Sequence, residues 1–245
     1  MPTNRTTTRV TAVISAAAAV AACAAAASSG NTGGDRQKSL SAPSASQQPG
    51  PTGGIALFNG RDFSGWTYYL DNKNARWQDT WSIDPVEQSI RCKGQPAGYI
   101  RTVRPYKNYV LRLQWRFAPG RAGNSGVLLR LVGRDKVWPR SVEAQLQSGA
   151  AGDFWLIDGA HLDTPPERVD KGTPRHRLRT RTNEKPLGEW NDYEITCNGG
   201  NISLKVNGEV LNEGTNAEAF RGPIALQSEG AEIYFRNIRL TPLPD

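Results

Sequence analysis

After its first residue the 245-residue chain contains no methionine, and it holds only two histidines and three cysteines. The two histidines, His161 and His176, form no His-rich cluster, and no pair of cysteines has zinc-site spacing. There is no Gly-rich phosphate loop and no Gly-x-Ser-x-Gly nucleophile elbow, so the usual phosphoryl-transfer and serine-esterase signatures are missing. Past the N-terminal region no apolar run approaches the ~18 residues that would span a bilayer. Long amphipathic helical patterns and internal repeats are also lacking. What is present is a globular balance, with 38% hydrophobic and 22% charged residues, which excludes a disordered or collagen-like chain. The 25 glycines, 16 prolines and 7 tryptophans lean toward a turn-rich β protein. The formal charge of +7 is unevenly spread. Its densest stretch carries no interleaved aromatics, so a nucleic-acid partner is not expected.

Residues 1–22 read as an export signal. Arg5 and Arg9 form a basic start, and Val10 to Val20 is a short apolar run. The following Val20-Ala21-Ala22-Cys23 resembles the lipobox of bacterial lipoproteins, with Val20 where that pattern prefers Leu. The resemblance implies lipidation at Cys23 and a membrane partner through that anchor. The alternative is an ordinary signal peptide cut in the alanine run. Either reading places the mature chain outside the cytoplasm. Residues 23–52 are rich in Ala, Ser, Gly and Pro with almost no large apolar side chain, which suits a flexible tether. Residues 53–245 are long enough for one sizeable core.

That domain reads as a series of strands. Between Tyr109 and Phe117, the residues Tyr109, Leu111, Leu113, Trp115 and Phe117 alternate with Val110, Arg112, Gln114 and Arg116. Asp192–Cys197 and Asn201–Val206 flank Asn198-Gly199-Gly200, and Asn207-Gly208 marks a second hairpin. Ile224–Ser228 and Glu232–Leu240 follow. About a dozen short strands joined by such turns predict an all-β, two-sheet antiparallel sandwich or jelly roll. Residues 158–189 break the rhythm. Between Thr164 and Leu187 lie seven basic and three acidic residues, either a functional lid or a solvated surface insertion. In an exported domain Cys92 and Cys197 form a disulfide if their strands are neighbours; otherwise they are two buried thiols.

Several phrases go beyond pattern. They are Leu57-Phe58-Asn59-Gly60 with Gly65-Trp66, Gly98-Tyr99-Ile100-Arg101-Thr102, Leu113-Gln114-Trp115-Arg116, and Gly123-Asn124-Ser125-Gly126-Val127-Leu128-Leu129-Arg130. Then come Ser141-Val142-Glu143-Ala144-Gln145-Leu146, Gly188-Glu189-Trp190-Asn191, Val206-Asn207-Gly208, the run Gly222 to Gly230, and Phe235-Arg236-Asn237-Ile238. In this order they resemble the 3-keto-disaccharide hydrolase domain family over essentially all of residues 53–243. The resemblance implies a jelly roll of the concanavalin A-like lectin/glucanase type, a concave sugar-binding face, and action on glycosides oxidised at C3.

Alternation selects the residues for that face. Glu143, Gln145 and Gln147 share one side of their strand, as do Gln227 and Glu229 of theirs, and Leu128 and Arg130 of a third. Arg130, Glu143, Gln145, Gln227 and Glu229 are therefore expected to make a polar floor for sugar hydroxyls. Trp190, Trp138 or Trp155 would supply an aromatic platform. Glu143 is the leading acid/base candidate, with Arg130 and Gln145 as orienting groups. Glu229 is the second carboxylate of a rival direct hydrolysis. Asn124 either contacts ligand or shapes a tight bend, and His161 is a candidate base on the long loop. The bland alternative for the floor residues is a solvated outer face with Arg130 and Glu143 a plain ion pair; for Glu229 it is a turn-shaping role beside Gly230, for Trp190 a place in the core, and for His161 an inert loop histidine. The fold leaves room for Ca²⁺ or another divalent metal, but no acidic run marks its ligands. The competing function is a non-catalytic carbohydrate-binding module of the cell envelope.

Overall fold

The computed structural model describes residues 54–245. The signal, Cys23 and the tether lie outside the described residues. The elements in chain order are β1 (Ile55–Ala56), β2 (Trp66–Leu70), a short helix α1 (Trp77–Thr80), β3 (Trp81–Asp84), β4 (Ser89–Cys92), β5 (Gly98–Thr102), β6 (Tyr109–Phe117) and β7 (Gly126–Val132). They continue with β8 (Arg140–Gln145), β9 (Phe154–Ile157), β10 (His176–Arg177), β11 (Asn191–Asn198), β12 (Asn201–Val206), β13 (Glu209–Gly214), β14 (Ala225–Ser228) and β15 (Ile233–Pro242). They form two antiparallel sheets. One has seven strands in the order β10-β9-β8-β7-β14-β5-β2. The other has eight, ordered β13-β12-β11-β6-β15-β4-β3 with β1 paired to β15.

The expected alternation of β6 is realised. Tyr109, Leu111, Leu113, Trp115 and Phe117 are buried in the core, while Arg112 is exposed. The inner face of the seven-stranded sheet meets them with Ile100, Val127, Leu129, Val142, Ala144, Phe154 and Leu226. Trp66, Trp81 and Trp115 are almost wholly buried, and each large apolar side chain contributes about 1.5–3 kcal/mol by leaving water.

The outer face of the seven-stranded sheet has a smaller apolar cluster of its own, Tyr99, Leu128, Leu131, Ile157 and Ala225, flanked by Tyr69 and Trp155. Two loops tie down onto this face. The β7–β8 loop brings Asp135 to the Tyr99 hydroxyl (2.7 Å) and to Arg101 (3.0 Å). The basic segment after β9 returns to the sheet edge and contributes β10.

Of the two readings of the cysteines the structure excludes the disulfide and bears out the buried thiols. Cys92 and Cys197 are buried free thiols. They lie in the same sheet on β4 and β11, with β15 and β6 between them. Three strand spacings amount to ~14 Å, twice the ~7 Å limit for a bridge. Burial pushes the Cys92 thiol up to about 12, so it stays protonated at neutral pH.

Candidate active site

The ladder registers line up the outer-face residues in rows. Arg101, Ala225, Leu128, Glu143, Trp155 and His176 pair laterally across six strands. The neighbouring row holds Tyr69, Tyr99 and Gln227 on one side and Gly126 opposite Gln145 on the other. At its end Asn124 and Glu229 meet in an isolated bridge. Glu143, Gln227 and Glu229 are therefore brought together, as alternation along β8 and β14 predicted.

Gly126 makes the convergence possible. A Cβ at this position would collide with Oε1 of both Glu143 and Gln227. With glycine there, the two side chains fold over the bare backbone and sink into the sheet. Glu143 is 4% exposed and Gln227 1%. Oε1 of Glu143 and both Oε1 and Nε2 of Gln227 are buried with no hydrogen-bond partner among the described residues. An unmade buried hydrogen bond costs ~1–3 kcal/mol, so three together mark a place built to hold something polar.

Burial, the neighbouring Glu229 and a weaker opposing pull from Arg175 set the Glu143 carboxyl well above the usual range. Burial also raises Glu229, to about 7, against a hydrogen bond from Asn124 that favours its charged form. The site thus holds one carboxyl that stays protonated and one poised near neutrality. These are the two states an acid and a base require. The sign for stability follows. Folded, Glu229 keeps its proton to about pH 7; unfolded, it loses it near 4.5. The stability linked to that proton is complete below pH 4.5 and is lost as pH rises through 7, a fall on the order of 3 kcal/mol. Urea unfolding at pH 5 and pH 8 should show this fall in the wild type, and Glu229→Gln should flatten its share. Parallel declines in the two chains would contradict the raised value.

Other expected site residues stand elsewhere. Gln145 lies on the correct face, but its Oε1 accepts the backbone N–H groups of Leu146 and Gln147, so it braces the end of β8. Arg130 leaves the face altogether. It sits in a β7 bulge with φ of 52°, and its guanidinium donates to the carbonyls of Lys107, Gly199 and Glu218. Trp190 stands in the loop just before β11 and packs on the opposite sheet, where Arg116 and Arg236 approach its ring at 4.9 and 4.0 Å. His161 is exposed, pairs with Asp163 (3.1 Å), and lines a recess with Arg130, Arg140 and Phe220. It makes no contact with Glu143. Trp138 is 44% exposed on the β7–β8 loop.

Of the three proposed platforms Trp155 is the one on this face, and two groups beside it, His176 and Asp153, escaped the sequence reading. Trp155 pairs with Glu143 and carries His176 stacked flat on it at 4.3 Å. His176 bonds Asp153 (2.8 Å) and Asp170 (3.2 Å); burial opposes its charge, but the two carboxylates prevail and raise its pKa. Asp153 also follows the alternation of β9, and that was the available signal. Among the described residues no group of three or more His, Cys, Asp or Glu is arranged to hold a metal ion. No ligand set for Ca²⁺ or another divalent metal is therefore identified.

Two antiparallel sheets, one carrying a buried polar floor on its outer face, define a β-sandwich of the concanavalin A-like lectin/glucanase type. The solved structure of Bacillus licheniformis β-glucanase superposes with a TM-score of 0.54 over 79% of this chain and all of its own, at 12% identity. A Parabacteroides distasonis ATCC 8503 protein, provisionally named a glycosyl hydrolase, superposes with a TM-score of 0.58 at 22% identity, covering 79% of this chain and 95% of the other. From residue 53 to residue 241 the chain matches the 3-keto-alpha-glucoside-1,2-lyase-like domain, and it belongs to that family. A 3-keto-disaccharide hydrolase of Bacteroides thetaiotaomicron is 24% identical, over 84% of this chain and 85% of the relative.

Proposed function

We propose that the protein is a sugar hydrolase acting on 3-keto-glycosides, by elimination followed by hydration. The observation that carries this reading is the pair of raised carboxyls, Glu143 and Glu229, converging with the unpaired Gln227 amide over Gly126. Membership of a family named for 3-keto-alpha-glucoside-1,2-lyase supports the substrate class.

A ketone at C3 acidifies the hydrogen on C2. Glu229, ionised in part near neutrality, takes that proton, and the C–H electron pair moves toward the ketone to give an enolate. As the enolate collapses, a double bond forms between C1 and C2 and the bond from C1 to the glycosidic oxygen breaks. Glu143, held protonated, gives its proton to the departing oxygen. Water then adds at C1 and a proton returns to C2, so the net change is hydrolysis. Gln227 and Asn124 orient the ring through its hydroxyls.

The test is a matched pair, a disaccharide and its 3-keto form, incubated with the chain while released monosaccharide is measured. Cleavage of the keto form alone is expected. Cleavage of the plain disaccharide would favour direct hydrolysis by two carboxylates. Saturable binding without cleavage of either would replace the enzyme with a carbohydrate-binding module.

We further propose that the protein is exported and anchored at Cys23, on the strength of Arg5, Arg9, the apolar run and Val20-Ala21-Ala22-Cys23. No helix among the described residues is long and apolar enough to cross a membrane. In the native host, Cys23→Ala should move the protein from the membrane fraction to the soluble one. Retention in the membrane fraction would reject the anchor.

A further inference from the structure

The loss of Arg130 from the outer face removes the one cation expected on the polar floor and leaves the proposed enolate without a cationic partner. One other guanidinium is placed to serve. Arg175 precedes β10 in the basic segment, and that segment is pinned to the sheet rather than loose above it. Asp153, with a side chain only 2% exposed, bonds His176 Nε2 at 2.8 Å and accepts from the backbone N–H and Nη1 of Arg179 at 2.8 and 3.0 Å. Asp170 holds the other ring nitrogen of His176 at 3.2 Å. The carbonyl of Arg175 accepts the Leu156 N–H at 2.8 Å. The root of the Arg175 side chain is therefore fixed, although the residue is exposed.

Its guanidinium lies over the Trp155 ring, 5.1 Å from the centroid. Trp155 pairs across the ladder with Glu143. Three other cations around the same face are held in ion pairs. Arg101 is held by Asp135 (3.0 Å), Lys136 by Asp158 (2.7 Å) and Arg179 by Asp153 (3.0 Å). Arg175 has no ion-pair partner among the described residues. Its charge is felt at Glu143, where it opposes the effect of burial. A flat guanidinium resting on an indole keeps its N–H edge free for an oxygen acceptor.

We propose that Arg175 is the cation that stabilises the oxyanion developing on the C3 oxygen of the substrate as the C2 proton leaves. The inference rests on the 3-keto-glycoside reading above. Arg175 transfers no proton. The proton goes to Glu229, the former C–H pair becomes the bond between C2 and C3, and the displaced carbonyl pair comes to rest on the oxygen that Arg175 faces.

Steady-state kinetics of the full chain on the 3-keto-disaccharide tests this with Arg175→Met and Arg175→Lys. Removing one donor to a developing oxyanion costs about 10²–10³ in kcat, so Arg175→Met should lose about a hundredfold in kcat with KM within threefold. Arg175→Lys should recover about a tenfold part of that loss, because it restores charge but not the fork. The thermal midpoint should stay put, since the side chain is exposed. If wild type cleaves and Arg175→Met retains its kcat, Arg175 has no such role and the keto-glycoside reading survives. If Arg175→Met instead raises KM alone, the residue only binds and the proposal also fails. If wild type does not cleave the keto form, the parent reading falls and the catalytic role falls with it.

Discussion

Glu143→Gln should lower turnover of a 3-keto-disaccharide by about 10³-fold or more while making the folded chain more stable at neutral pH. The two effects have one cause. The carboxyl is sunk into the sheet beside Glu229, without a hydrogen bond to Oε1, and is held well above its normal range. An amide of the same shape has no ionisation to suppress, so the folded state gains roughly 1–2 kcal/mol, within the cost of a poorly placed buried polar group. It also has no proton to give to a leaving oxygen, and loss of a general acid costs about 10²–10⁴ in rate. Gly126→Ala provides a second line, because its new Cβ would displace the Oε1 atoms of Glu143 and Gln227 while leaving both residues in place. It should cut kcat by about tenfold or more. A urea midpoint and a kcat for each variant are sufficient. Glu143→Gln retaining turnover within tenfold of wild type would remove Glu143 from the chemistry.

The architecture was largely legible because strand periodicity is a local property. Tyr109–Phe117 alternates so regularly that its inward residues could be named, and the Asn-Gly turns marked the β11–β12–β13 meander. The same rule placed Glu143, Gln145 and Gln227 on one face. It failed where the backbone stops alternating. Arg130 follows Leu129 in β7, but a bulge with a left-handed residue turns the chain, and a period of two says nothing about the direction that follows. Trp190 failed for another reason. Its neighbours Arg116 and Arg236 come from β6 and β15, and which sheet receives a loop is a matter of topology, not of pattern. The cysteines stayed undecided for a like reason, since the sequence does not specify the number of strands between them. The basic segment showed its charge but not its anchor. Asp153 is one carboxylate just before β9, yet it gathers His176 and Arg179 from more than twenty residues away and turns an apparent surface insertion into a wall of the site.

Arg130→Met should lower stability by roughly 3 kcal/mol or more while leaving kcat per folded molecule within about threefold of wild type. The side chain is 4% exposed. Its Nε and Nη1 donate to Lys107 O (2.9 Å), Gly199 O (2.8 Å) and Glu218 O (3.3 Å). These carbonyls belong to the approach to β6, the β11–β12 turn and the segment before β14, so one guanidinium from the seven-stranded sheet fastens three loops at one end of the sandwich. Hydrogen bonds to a charged group contribute ~1.5–3 kcal/mol each, partly offset by the cost of burying the charge. Methionine keeps most of the apolar stem and loses every donor. Lysine could reach only one or two of the carbonyls, so Arg130→Lys should fall between Met and wild type. A substrate-orienting arginine predicts the opposite result, a collapse of kcat at an unchanged urea midpoint. That outcome would return Arg130 to the sugar face and leave Arg175 without the vacancy it is proposed to fill.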